Sequence, residues 1–261
     1  PLVTIMYSPF ILLTMNTYAL IGKNIDYSFS RQYFTEKFKR EGIADCQYIN
    51  FDIQSLDELP ALLASTPNVR GMNVTIPYKR DIRQLLSAVD TTAHQIGAVN
   101  TIKVTPIGLI GYNTDYYGFA ESLRPLLRPE HTHALILGTG GASSAVAYAL
   151  SQLGISYRFV SRTPAIGQFA YTDLTRSLLQ KYLLIINCTP LGTFPNISDC
   201  PPLPYQHLNA SHLLYDLIYN PAETTFLAKG KKQGATTCNG QRMLELQAEK
   251  AWQIWQNEAD N

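Results

Sequence analysis

The stretch HALILGTGGASSAVAYALSQLG, residues 133–154, passes from an apolar β-type run through a glycine-rich turn into a helical pattern. Gly138, Gly140 and Gly141 fall just after the apolar run and just before the helix. Glycines so placed let the backbone approach a pyrophosphate, and the helix N-terminus adds orphan N–H groups and the positive end of its dipole. Ser143 stands where a third glycine would complete G-x-G-x-x-G, and a small side chain there still permits close helix-to-strand packing. A tight turn of purely structural purpose would also explain the glycines. The sequel of helix and second strand, YRFVS at 157–161, favours a dinucleotide site.

Working outward, strands are expected at LLIIN (183–187) and HLLYDLI (212–218). Upstream, YALIG (18–22) reads as a strand, Ser30 to Glu41 as a helix, and QYINFDI (47–53) followed by LDELPALLAS repeats the unit. GMNVTI (71–76) is the next strand, Lys79 to Ile96 reads as mostly helix, and VNTIKVT with GLIGYN reads as a hairpin. The alternation predicts an α/β fold of two α/β domains: a mainly parallel N-terminal sheet, then a Rossmann-type unit. The joint is placed around Tyr116 to Pro129, where RPLLRPE carries two prolines. This gives residues 15–115, plus 239–261, as one domain and 116–238 as the other. The closing segment, with Met243, Leu244, Leu246, Ala251, Trp252 and Trp255 at helical spacing, is expected to cap the second half or cross back to the first.

Composition narrows the function. A chain of 261 residues with 46% hydrophobic and 16% charged residues buries a substantial core. Its net charge of +1 supplies no global field for nucleic acid or acidic membranes, which leaves small molecules as the expected partners. The four cysteines form no CxxC pair and the five histidines no HExxH, so no metal and no disulfide scaffold is expected, and reduced thiols suit a cytoplasmic protein. The first fourteen residues, PLVTIMYSPFILLT, are apolar but shorter than the ~18 needed to span a bilayer. They read as an extension ahead of Met15, or alternatively as a sheet-forming segment.

The end of the strand after the glycine turn discriminates between dinucleotides. It reads VSRT, with Arg162 where an acidic residue would hold the ribose hydroxyls of NAD. A guanidinium with the hydroxyls of Ser161 and Thr163 suits a 2′-phosphate, so NADP is favoured. Hydride transfer between an alcohol and a ketone also needs a proton donor and acceptor. The histidines sit in no polar constellation, whereas Lys79 follows a strand end, where open α/β sheets form ligand crevices. Polar groups recur in similar places at Ser28, Ser30, Thr75, Asn100, Asn113 and Asp115. Singly these are a helix cap, turn residues and a solvated lysine. Jointly they outline a polar mouth.

With those residues set out, the chain resembles the shikimate dehydrogenase family. That family's pattern appears here as SFS (28–30), GMNVTIPYK (71–79), GAVNT (97–101), GYNTD (111–115), GTGGA (138–142), SRT (161–163), NCTPLGT (187–193) and NGQRMLELQA (239–248). Order and spacing hold from Leu20 to Ala248. The resemblance implies NADPH-dependent reduction of 3-dehydroshikimate to shikimate. It implies Ser28 and Ser30 on the substrate carboxylate, and Thr75, Asn100, Asp115, Tyr219 and Gln247 on the ring hydroxyls. Lys79, paired with Asp115, is the implied acid/base. An ammonium held by a carboxylate stays charged, so Lys79 is expected to donate in the reduction direction and to polarise the carbonyl. For the cofactor the resemblance implies Gly138, Thr139, Gly140, Gly141, Ala142, Ser161, Arg162, Thr163 and Thr189, with Leu217 and Gly240 near the nicotinamide. The closing helix would return Gln247 to the first domain, and a monomer or homodimer is expected.

Departures cluster at the carboxylate-binding loop, where Asn24, Tyr27 and Arg31 replace family residues, and at the cofactor strand, where Ser161 replaces asparagine and Pro164-Ala165 removes a further basic residue. A relative oxidising quinate or an aminated shikimate is the nearest rival reading, and a non-catalytic sensor of the same ligands is another.

Overall fold

The strand centred on YALIG runs from Asn16 to Gly22 (β1) and is buried along almost its whole length, as a central parallel strand with both faces covered must be. The structure, a computed structural model, describes residues 15–26 and 28–257, so the readings of residues 1–14 and of Tyr27 lie outside the described residues. Helix α1, Phe29–Glu41, starts at Ser28, whose Oγ accepts the Arg31 N–H at 3.3 Å, and stops at Gly42, whose φ of 68° suits glycine. It leads to β2, Cys46–Asp52, parallel to β1. A 3-10 turn at Leu56–Glu58 and helix α2, Leu59–Ser65, then cross to β3, Val69–Val74, which is parallel to β1 on its other side.

Between Lys79 and Ile96 the structure departs from the expected helix. The chain makes a 3-10 turn at Asp81–Leu85, a two-residue strand Ala88–Val89 (β4), and only then helix α3, Thr91–Ile96. The Ser87 and Asp90 N–H groups donate to Leu109 and Gly111 carbonyls, which draws this stretch onto the sheet. The Asp90 carboxylate then accepts the Thr92 and Ala93 N–H groups and restarts the helix. Strands β5, Thr101–Thr105, and β6, Gly108–Tyr112, form the expected antiparallel hairpin. The first sheet has the order β2-β1-β3-β5-β6-β4, with β5 antiparallel to both neighbours and the other pairs parallel.

Helix α4, Asp115–Leu123, and a short 3-10 turn lead to the second sheet. There β7 (His133–Leu137), α5 (Gly141–Gln152), β8 (Ser156–Ser161), β9 (Phe169–Ala170), α6 (Arg176–Lys181), β10 (Leu184–Asn187), β11 (Leu213–Asp216), α7 (Thr225–Lys232) and β12 (Thr236–Cys238) follow in turn. All pairs are parallel, in the order β12-β11-β10-β7-β8-β9. The chain winds outward in both directions from β7, so a ligand crevice is expected beyond the carboxyl ends of the strands there.

The last helix, α8 (Gln241–Gln256), leaves the second sheet and packs on the first. Ala248, Ala251 and Trp255 bury against Tyr18, Phe34 and Phe38, and the Trp255 indole N–H donates to the Ile102 carbonyl at 2.9 Å. The indole lies over Gly71, where an added Cβ would come within 2.3 Å of the ring. Of the two alternatives for the closing segment, the crossing back to the first half is the one found.

Candidate functional site

The strand in GMNVTIPYK ends at Val74, two residues before the expected end, with the Thr75 N–H still on the Ile21 carbonyl at 2.9 Å. The Tyr78 N–H donates to the Thr75 carbonyl, and the Lys79 carbonyl accepts the Val99 N–H at 2.7 Å. Lys79 is thereby fixed by its backbone beside the start of β5. Its Nζ donates to Asp115 Oδ2 at 2.7 Å, the two side chains being 19% and 9% exposed. Asp115 opens α4, where the helix dipole favours a carboxylate, and its Oδ1 accepts Asn100 Nδ2 at 2.9 Å. With both oxygens engaged, Asp115 orients the ammonium, while only one of the three Nζ hydrogens is committed to it.

Asn100 organises the rest. Its Oδ1 accepts the Thr114 N–H at 2.7 Å, and its Nδ2 also reaches Thr114 Oγ1 and Gln247 Oε1, at 3.0 and 3.2 Å. Gln247 comes from α8, 132 positions beyond Asp115 in sequence, and its carbonyl end is taken up here, so its amide hydrogens face onward as donors. Asn100 precedes its strand rather than following one. Because β5 runs antiparallel to β3, the start of β5 lies at the same edge as the end of β3.

A cavity of about 280 Å³ is lined by Ser28, Phe29, Ser30, Thr75, Tyr219 and Leu244, among others, and reaches the turn that carries Lys79 through Thr75. The buried Tyr48 lies near Ser30, and its hydroxyl donates to Asn73 Oδ1 at 2.8 Å. Burial pushes the hydroxyls of Tyr48 and Tyr219 above the ordinary tyrosine value, so both stay protonated donors. Tyr219 arrives from the second sheet and packs edge-on against Phe29, with ring centroids 5.5 Å apart. Residues from both sheets therefore wall one cavity.

The second group of expected residues lies along the carboxyl edge of the second sheet. Gly138 turns the chain with a φ of 96°, and Gly140 starts α5 with no side chain capping it. A Cβ on Gly140 or Gly141 would meet nothing within 4 Å, so this turn presents bare backbone to open space. Thr139 is exposed and Ala142 half-buried on the first turn of α5. Thr189, after β10, closes one side of the turn: its methyl would lie 3.0 Å from a Cβ on Gly138. Arg162 and Thr163 are exposed at the end of β8, and the Thr163 N–H donates to Ser161 Oγ at 3.2 Å. An uncapped helix start, a bare glycine turn and a guanidinium flanked by hydroxyls fit a dinucleotide bearing a 2′-phosphate. Leu217 half-covers the edge after β11, and Gly240 starts α8 so close by that a Cβ there would meet the Leu217 carbonyl oxygen at 2.1 Å.

Other groups emerge only from the structure. Thr101, Thr114, Asn73 and Tyr48 complete the polar network, and Asn73 and the two threonines stand within motifs already quoted. Gly118 and Asp216 carry no sequence signal of their own. Two of the histidines brace the structure: His212 lies against the Leu179 carbonyl and His131 against that of Ser211. Among the described residues there is no cluster of three or more metal-ligating side chains, and no helix is long and apolar enough to cross a membrane.

Asp216, at the end of β11, is fully buried, and burial pushes its carboxyl from the ordinary 3.8 up to about 6 against the pull of the bonds it accepts. Folding thus disfavours its ionised form. The cost is complete above about pH 6 and is relieved as pH falls from about 6 towards 4. In urea unfolding, the stability of Asp216→Asn relative to wild type is expected to fall by up to about 3 kcal/mol between pH 7.5 and pH 4. A difference that stays flat across that range would contradict this.

The comparisons with known proteins follow the same lines. Residues 20–102 match the family model described as the shikimate dehydrogenase substrate binding domain. A shikimate dehydrogenase (NADP(+)) of Clostridium botulinum strain Hall is 37% identical over 251 residues, covering 92% of this chain and 96% of the relative. The crystal structure of shikimate 5-dehydrogenase from Thermus thermophilus in complex with NADP(H) and shikimate superimposes with a TM-score of 0.81 at 31% identity, over 93% of this chain and 94% of that one. Quinate dehydrogenase from Corynebacterium glutamicum in complex with NAD gives the same TM-score at 25% identity, over 93% and 94%. Identity at this level along nearly the whole chain, with two α/β sheets joined by a returning helix, means that the chain belongs to the shikimate dehydrogenase family.

Proposed function

We propose that this protein catalyses the reversible, NADP-dependent interconversion of 3-dehydroshikimate and shikimate, a step towards chorismate and the aromatic amino acids. The observation that carries the reading is the Lys79–Asp115 pair at 2.7 Å, with Lys79 four residues after Thr75, which lines a cavity with Ser28, Ser30 and Tyr219. When bound, NADPH supplies the hydride. In the reduction direction Lys79 Nζ–H donates to the carbonyl oxygen as negative charge grows there and yields its proton to the new hydroxyl. Asp115 holds the ammonium and, with Asn100, Thr75, Tyr219 and the amide end of Gln247, orients the ring hydroxyls. Ser28 and Ser30 take the carboxylate.

Residues 15–115 with 239–261 form the substrate-binding unit in this reading, and 116–238 the dinucleotide unit. Gly138 to Ala142 and Thr189 cradle the pyrophosphate, Ser161, Arg162 and Thr163 take the 2′-phosphate, and Leu217 and Gly240 border the nicotinamide. The protein acts in the cytoplasm as a monomer or homodimer on small molecules. Arg162→Ala is expected to raise KM for NADP+ about tenfold with little change for NAD+, because only the 2′-phosphate loses a charged partner. Equal losses with both cofactors would remove Arg162 from that role.

The likeness to quinate dehydrogenase supports a second reading, quinate oxidation with NAD. Following reduced-nicotinamide absorbance with shikimate, with quinate and without substrate, each with NADP+ and NAD+, separates the two. Turnover is expected with shikimate and NADP+. Turnover confined to quinate and NAD+ would replace the first reading by the second.

A further inference from the structure

We propose that Asp216 is a positioning residue that ties the loop carrying Thr189, on the cofactor side, to the loop carrying Tyr219, on the substrate side. The inference rests on the assignment of those two loops made above. Asp216 Oδ1 accepts Asn187 Nδ2 at 3.0 Å and the Ile218 N–H at 3.1 Å, and Oδ2 accepts Thr224 Oγ1 at 2.6 Å. Each donor belongs to a different segment, and two of the three lead into the site. Asn187 ends β10, and its own Oδ1 accepts both the N–H and the hydroxyl of Thr189, at 3.0 and 2.6 Å. Ile218 directly precedes Tyr219, and its carbonyl accepts the Gly240 N–H at 3.0 Å, where α8 begins on its way to Gln247. Thr224 caps α7 through the Leu227 N–H.

A fully buried carboxylate that is no part of the acid/base pair calls for a reason, because burial itself disfavours its ionised form. Its distinctive property is the capacity to accept three hydrogen bonds from donors that diverge towards three segments. Asparagine can keep the two bonds to Oδ1 and turn its amide towards the Thr224 oxygen. Alanine takes the carboxylate from all three buried donors, of which Asn187 Nδ2 keeps only the longer contact to the Leu191 carbonyl at 3.4 Å. Other ties between the loops persist, among them the Leu217 N–H on the Asn187 carbonyl and the Phe194 N–H on the Asn220 carbonyl, so the loops are expected to loosen rather than unfold.

The test compares Asp216→Ala and Asp216→Asn with wild type by equilibrium titration of NADP+ and, separately, of shikimate onto the cofactor-free protein, so that neither ligand can react, with melting curves recorded in parallel. Asp216→Ala is expected to weaken both affinities about tenfold, and Asp216→Asn to stay within about threefold of wild type on both. A purely structural role would lower the melting temperature and leave both affinities where they were. That result, or an Asp216→Asn variant as impaired as Asp216→Ala, overturns the proposal. Should Asp216→Ala not fold, Thr224→Val, which at nearly constant volume removes the bond to Asp216 together with the cap on the Leu227 N–H, decides. A parallel loss of about threefold for both ligands supports the proposal, and unchanged affinities overturn it. Titration needs no turnover, so failure of wild type to oxidise shikimate would strike the proposed function and leave this result legible.

Discussion

Replacing Lys79 with alanine is expected to lower kcat for shikimate oxidation about 1,000-fold while leaving NADP+ affinity within about twofold. Two contributions act together. Proton transfer by a positioned side chain accounts for about 10² to 10⁴ in rate, and a donor aimed at the developing oxyanion adds to it. Nothing in the network replaces the ammonium, because Asn100 and Gln247 are amides and Asp115 already has one oxygen on Asn100. The variant also leaves the largely buried Asp115 carboxylate without its cation, which is expected to cost about 1–3 kcal/mol in folding stability, less than for a fully buried pair because Lys79 keeps some exposure to solvent. Steady-state kinetics with separate titration of NADP+ measures both effects. A variant retaining a tenth or more of the wild-type kcat would remove Lys79 from the acid/base role.

Gly118→Ala is expected to damage both folding and the site although it touches no ligand. On the α4 face towards α8, a Cβ at this position would lie 2.5 Å from the Met243 carbonyl oxygen and 3.1 Å from the Gln247 nitrogen. These are backbone atoms of a helix and cannot rotate away, so the two helices must separate. Asp115 is one turn upstream on α4, and Gln247 is part of the contact itself, so separation pulls the Asn100–Gln247 bond of 3.2 Å apart. A stability loss of about 1–3 kcal/mol is expected from overpacking, with KM for shikimate raised about tenfold and NADP+ affinity nearly unchanged. Thermal unfolding and steady-state kinetics on the same preparation check this. An unchanged KM in a destabilised protein would mean that Gln247 can follow its helix without consequence for the site.

How much was legible in the sequence depended on whether the signal was local. The glycine turn, β7 and α5 were readable because conformational freedom, apolar run and helix pattern are all written within twenty-two residues, 133–154. The hairpin around Thr105 to Gly108 was equally local. The two-residue strand at Ala88–Val89 was not, because its pairing depends on β6, which lies later in the chain, and the stretch taken alone has helical spacing. Asn100 appeared to follow a strand, and the antiparallel course of β5 places it at the same edge from the other direction.

The candidate site was legible to the extent that its groups sit beside strand ends. Lys79, Asp115 and Asn100 could be named from the sequence, and the resemblance implied the Lys79–Asp115 pairing, whereas the wiring through Asn100 could not be read. Thr114 belongs to that wiring through its backbone N–H as much as its side chain, and Gln247 reaches Asn100 only because α8 crosses back to the first sheet. Gly118 and Gly240 matter for what approaches them, the backbone at Met243 and at Leu217, and no local pattern encodes such an approach. Asp216 reads as one more strand-end aspartate until its three donors are seen together.

The central claim is that the Lys79–Asp115 site performs chemistry on shikimate rather than merely sensing it. Rapid mixing of the preformed NADP+ complex with saturating shikimate, followed by reduced-nicotinamide absorbance, tests it most directly. The account predicts reduction of bound NADP+ on the first turnover, strongly slowed in Lys79→Ala. Tight shikimate binding with no reduction of the cofactor would contradict it.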